Sequence, residues 1–174
     1  MKLHSGDSWN VNAAYQGEGV PGRPGIYMLI LEILEDIEVN VGRLGTLRFD
    51  KGIYMYVGSA RGPGGLRARL MRHCRGPTRT KWHIDYLTSN SNVRVTAAVI
   101  AEANFDLEEA IAGGMLRQEY CIKPAIEGFG STDKTSYTHL FTCSCSMQRC
   151  IATAMGVFRE SSLEPKLVEC KMSP

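Results

Sequence analysis

No apolar run in the 174-residue chain is long enough to cross a bilayer. The longest uninterrupted one, Ile26 to Leu31, has six residues, whereas a spanning helix needs about 20. No charged n-region leads into an apolar core near Met1, so neither a secretory signal nor a membrane partner is expected. Aromatic residues are few, at 8%, with two tryptophans. Evenly spaced cysteines are also missing. The six present cluster late, and Cys143, Cys145, Cys150 and Cys170 contain no Cys-x-x-Cys knuckle. That pattern argues against a zinc site and a disulfide framework, so free thiols in a reduced, cytoplasmic protein are expected. The most informative absence is acid. From Lys51 to Ile84 there is no Asp or Glu, while eight of the 20 Lys and Arg residues fall in those 34 positions. The remainder carries 12 basic residues against 18 acids, so a net charge of +2 hides a basic segment on an acidic body. Such asymmetry marks a local polyanion site; its alternative is a solvated helix face.

What is present is globular. With 44% hydrophobic and 22% charged residues, neither a disordered polyelectrolyte nor a fibre fits. The length suits one domain. Residues 1–23 are polar and rich in Gly and Pro, hence a loose leader. Gly25 to Ile33 is a short, branched apolar run, expected as a strand buried on both faces. Ile37, Val39 and Val41 alternate with polar residues, and a short strand near Thr46 to Phe49 completes a hairpin. Ile53 to Gly58 is another strand, followed by a glycine-rich turn. Leu66, Leu70 and Cys74 recur every fourth residue, predicting an amphipathic helix over 64–75. A short helix is expected over 81–89, a strand from Asn92 to Ile100 and a helix from Phe105 to Cys121. A loop over 128–133, a closing strand Leu140 to Cys143 and a helix over 146–158 follow, after which the chain is expected to fray. This order gives a mixed α/β or α+β domain over residues 24–142 with an extension over 143–174.

On the 64–75 helix, Arg69 and His73 lie four apart on one shoulder of the buried stripe, while Arg67, Arg72 and Arg75 point further toward water. Outer arginines suit phosphates along a nucleic-acid backbone; the shoulder pair is held against the sheet. Tyr54 and Tyr56 share a strand face, and Tyr27 opens the first strand. Packing alone explains such tyrosines. The alternative is proton transfer, with nearby positive charge and a metal lowering the phenol pKa toward use as a base.

Gly25-Ile26-Tyr27, Tyr56-Val57-Gly58, the Leu66-Arg67-Ala68-Arg69-Leu70 helix and His73 resemble the GIY-YIG nuclease family. Tyr54 to Ala60, Gly64 to Leu66, Trp82 to Leu87, and Gly128 to Asp133 with His139-Leu140-Phe141 resemble its archaeal and bacterial branch of unknown function. The resemblance covers roughly residues 24 to 142. It implies a small, mainly antiparallel sheet, three-stranded at its core, flanked by helices. It also implies phosphodiester hydrolysis with one divalent metal, usually magnesium. On that resemblance Tyr27 is the candidate base for the attacking water and Tyr56 orients water or phosphate. Arg69 steadies phosphate charge, with Arg67 the alternative, and His73 is an auxiliary proton-transfer group. Glu119 holds the metal, with Glu102, Glu108 and Glu109 as competing carboxylates. Arg61, Arg67, Arg72, Arg75, Lys81 and His83 are expected to contact nucleic acid, DNA before RNA. Relatives fused to base-excision glycosylases imply DNA-repair partners. The chain departs from the pattern at Ser59, where a lysine is usual, and at Lys134 to Tyr137, where the branch usually has cysteines.

Two other readings stand beside the nuclease. One is a non-catalytic nucleic-acid-binding module, which Ser59 favours; the other is an adaptor whose basic patch meets an acidic protein. Lys81-Trp82-His83 interleaves an aromatic with cations, as a site that stacks on a base or lies over a backbone would, but core packing of Trp82 with local capping and pairing by His83 and Asp85 explains it as well. Gly128 to Asp133 can bring backbone amides to a phosphate or simply turn the chain.

Overall fold

The computed structural model describes residues 19–118 and 120–170. Its centre is strand β1 (Gly25–Ile33), whose apolar side chains are buried on both faces. Antiparallel partners flank it: β4 (Gly52–Ala60) on one side and β5 (Val93–Glu102) on the other. β7 (Leu140–Cys143) and then β6 (Ile122–Pro124) extend the sheet beyond β4, and β8 (Lys166–Glu169) closes the far edge against β5. A separate hairpin pairs β2 (Ile37–Asn40) with β3 (Thr46–Phe49).

The period-two rule divides β1 between two cores. Tyr27, Leu29 and Leu31 face Leu66 and Leu70 of helix α1 (Gly65–Arg75), Ile84 and Leu87 of α2 (His83–Thr88), the hairpin and Phe129. Ile26, Met28 and Ile30 face Ile111 and Met115 of α3 (Glu108–Leu116) and Ala154, Val157 and Phe158 of α4 (Met147–Glu160). The mixed α+β class, with a mainly antiparallel sheet and four helices among the described residues, is as expected. No described helix is long and apolar enough to cross a membrane.

Three expectations are corrected. The helix expected from Phe105 to Cys121 spans only Glu108 to Leu116. Asp106 Oδ1 accepts from the Glu108 N–H at its start, and the chain leaves it to form the short strand β6. Up to residue 170 the tail does not fray as expected: Ser146 caps α4, and β8 pairs with β5 from Ala97 to Ile100. The cysteines are not free thiols. They form Cys74–Cys170, Cys121–Cys145 and Cys143–Cys150 disulfides. Even spacing was the wrong criterion, because β-pairing and helix packing bring unevenly spaced cysteines together. The loose leader over residues 1–23 lies outside the described residues up to residue 18; the remainder turns into β1, with Val20 buried.

Candidate active site

One end of the sheet gathers most of the candidate residues. Gly25 opens β1 where a side chain would collide with Leu66 of α1 and the Ala101 carbonyl. The missing Cβ therefore lets helix and sheet close around Tyr27. Gly58 plays the same part from β4, since a Cβ there would run into the Tyr27 phenol. In the space so made, the Tyr27 hydroxyl lies 3.1 Å from His73 Nε2, both side chains buried. His73 reaches it from the buried stripe of α1. Tyr56 is buried beside them, its ring edge-on to Phe129 at 6.1 Å and close over Gly130.

Burial dominates the electrostatics. It pushes the Tyr27 phenol well above its ordinary value, against the opposing pull of Arg69, and Glu108 adds to the rise. The arginines alone do not lower the phenol as expected of positive charge and a metal together: desolvation of a phenolate outweighs them. Tyr56 rises for the same reason, with Tyr27, Glu108 and Asp85 adding to it. Burial lowers His73 to about 4, against the attraction of Asp85. At neutral pH the pair is a neutral phenol and a neutral imidazole. His73 Nδ1 is buried without a partner among the described residues.

The arginines of α1 are divided by Asp85, expected to cap and pair locally. Asp85 is fully buried; its Oδ2 accepts from Arg72 at 2.8 Å and from the backbone N–H groups of Lys81 and Trp82. Burial raises this carboxyl, but the Arg72 and backbone donors outweigh it and hold the group below the ordinary carboxylate range. Arg72 also donates to the Arg79 carbonyl. The expectation that Arg72 points out toward water is corrected, because Asp85 draws it inward. A signal existed: Asp85 is the first acid after the long basic run. The turn that Asp85 organises presents Trp82, and the Arg69 guanidinium lies 3.9 Å from the Trp82 ring centre, with Lys81 at 4.8 Å. Trp82 thus holds Arg69 beside the tyrosines by cation–π attraction.

Other predicted contacts scatter. Arg67 is exposed, with Nε donating to the Val20 carbonyl. Arg61, Arg75 and Lys81 are exposed along the basic segment. His83 turns inward: Nδ1 accepts from the Gly130 N–H, and burial lowers its pKa. That bond commits the Gly130 amide to the fold. Nor does the start of α1 offer amides freely, since Leu66 and Arg67 N–H donate to the Arg23 and Pro21 carbonyls.

Glu119, the expected metal ligand, lies outside the described residues. Two described carboxylates act on both Tyr27 and Tyr56, Asp85 and Glu108. Asp85 is enclosed by its donors. Glu108 opens α3, and its Oε1 accepts from the Ser59 N–H at 2.7 Å. Its Oε2 is 3.6 Å from Lys134 Nζ, which is bound more closely to Asp106 at 2.7 Å. No group of three or more ligating side chains exists among the described residues. A single, partly accessible carboxylate fits a hard cation that keeps most of its waters, and not zinc.

Residues 26–160 match the family described as Domain of unknown function DUF123, and the chain belongs to that family. No curated protein and no solved structure matches it.

Proposed function

We propose that the chain is a nuclease of GIY-YIG type that hydrolyses phosphodiester bonds in DNA. The observation that carries this reading is the buried 3.1 Å contact between the Tyr27 hydroxyl and His73 Nε2, with Arg69 and Glu108 acting on the same phenol. A phenol held above its ordinary pKa is a poor base alone. Paired with a neutral imidazole it becomes a relay. The Tyr27 oxygen takes the proton of the attacking water while its own proton passes to His73 Nε2. Arg69 faces the negative charge that builds on the phosphate, and Tyr56 lines the same space. Among the described residues, Glu108 is the carboxylate assigned to hold magnesium; Glu119 lies outside them. An ion held there would supply Lewis-acid stabilisation of the negative charge that builds on the phosphate.

The basic segment supplies sequence-independent attraction for the backbone. The DNA-repair setting that the resemblance implies belongs to the same reading. So does a cytoplasmic location, which three disulfides allow only where intracellular disulfides persist. The non-catalytic binding module is favoured by Ser59, which offers the site a backbone N–H to Glu108 and no cation.

Nicking of supercoiled plasmid in magnesium separates the two. The parent is expected to cut, and Tyr27→Phe and Glu108→Gln to lose about 100-fold or more in rate. Binding without cutting under all conditions would leave the module.

A further inference from the structure

The two flanks of the tyrosine site differ in charge and in what they expose. One flank is the basic segment, with Arg69 beside the tyrosines and Arg75 and Lys81 exposed. The other is acidic: Asp106, Glu108 and Glu109 stand together at the start of α3. Lys134 bridges Asp106 and Glu108, while Thr135 Oγ1 donates to Glu109 at 2.5 Å and His139 approaches the same carboxylate at 3.4 Å. These contacts brace Asp106 and the first turn of α3 against the loop over 131–139.

Each side of this brace exposes one aromatic ring. Phe105 is 65% exposed and Tyr137 50%. They stand on loops joined directly to the site: Phe105 lies three residues before Glu108, and Tyr137 two before His139, whose carbonyl accepts from Val57 of β4. Neither ring stacks on another described aromatic. Lys134 of the loop over 131–139 is already taken up by Asp106 and Glu108, so these rings have little beside them to hold a backbone. Flat faces suit a base, and a base in a duplex has both faces covered by its neighbours.

We propose that Phe105 and Tyr137 form a stacking rim for unpaired bases, so that the substrate is a single strand or a junction with unpaired nucleotides. Its phosphates follow the basic segment and its bases turn to the acidic flank. This inference rests on the nuclease reading and names the substrate class of that site.

The test uses the full chain in EDTA, so that nothing is cut, and fluorescence anisotropy. The probes are a short labelled single strand and the same sequence as a duplex closed by loops at both ends. The parent is expected to bind the single strand more tightly. Phe105→Ala and Tyr137→Ala are each expected to weaken the single strand by about tenfold and the duplex little; Phe105→Trp retains single-strand affinity. Lys81→Ala is expected to weaken both probes alike. The proposal is overturned if the parent binds the closed duplex as tightly, or if both alanine variants melt like the parent and keep its single-strand affinity. Loss of self-association in sedimentation, with single-strand affinity unchanged, would make the rim a protein interface and also overturn it. A parent that cuts plasmid but shows no single-strand preference removes the rim alone; one that binds neither probe removes the nuclease reading with it.

Discussion

At the residue scale, the account depends on a histidine kept neutral by burial. His73 has a folded-state pKa of about 4 against an ordinary 6.5. Between these values the unfolded chain binds the proton and the folded chain does not. Stability is therefore undiminished by His73 above about pH 6.5 and falls as the pH drops toward 4. The full loss is on the order of 3 kcal/mol. Urea midpoints measured across this range should fall more steeply in the parent than in His73→Gln. Equal slopes would show that the imidazole is not buried against Tyr27. The sequence contains both residues but cannot rank desolvation against the arginines. Burial of a phenol depends on Gly25 and Gly58 letting α1 and β4 close over it, a property of packing rather than of spacing.

At the element scale, α2 is held by one carboxylate. Asp85 accepts the Lys81 and Trp82 N–H groups before the first turn and pairs with Arg72 of α1. Asp85→Ala leaves a guanidinium and two backbone donors without their acceptor, and is expected to cost about 3–5 kcal/mol in urea unfolding. Asp85→Asn keeps an acceptor oxygen and is expected to cost less. A loss under about 1 kcal/mol for the alanine variant would contradict a central role. Most elements were legible because their periods are strong. β1 is apolar but for Glu32 and α1 repeats every four residues, and the structure sets both within one residue of the expected limits. α3 was overdrawn at both ends. Its apolar and acidic residues continue the helical pattern, but Asp106 starts it late and β6 takes the chain that follows. β8 carries only four residues with one buried, Val168, and becomes a strand through its partner β5.

At the scale of the whole molecule, three disulfides tie the late chain to the sheet and α1. Cys74–Cys170 joins the helix that carries His73 to the strand at the far edge, closing 96 residues. Chain entropy puts the stabilisation from a loop of that size at about 4–5 kcal/mol. Denatured, unreduced protein should take up no iodoacetamide, and reduction should open six sites. Alkylation before reduction would contradict the pairing. The basic segment was legible at this scale as an acid-free run, and most of the tyrosine site lay in the same stretch. Glu108 was legible only as one carboxylate among several. What sets it apart is its position at the head of α3 beneath the Ser59 amide, which depends on where that helix begins.

The central claim is that the Tyr27–His73 pair moves the proton in phosphodiester cleavage. Its most direct measurement is single-turnover cleavage of an end-labelled strand in magnesium by the parent and by His73→Ala, both first shown to be folded and to bind the strand. Equal binding and a cleavage rate lower by about 100-fold or more are expected in the variant. Cleavage at the parental rate would contradict it.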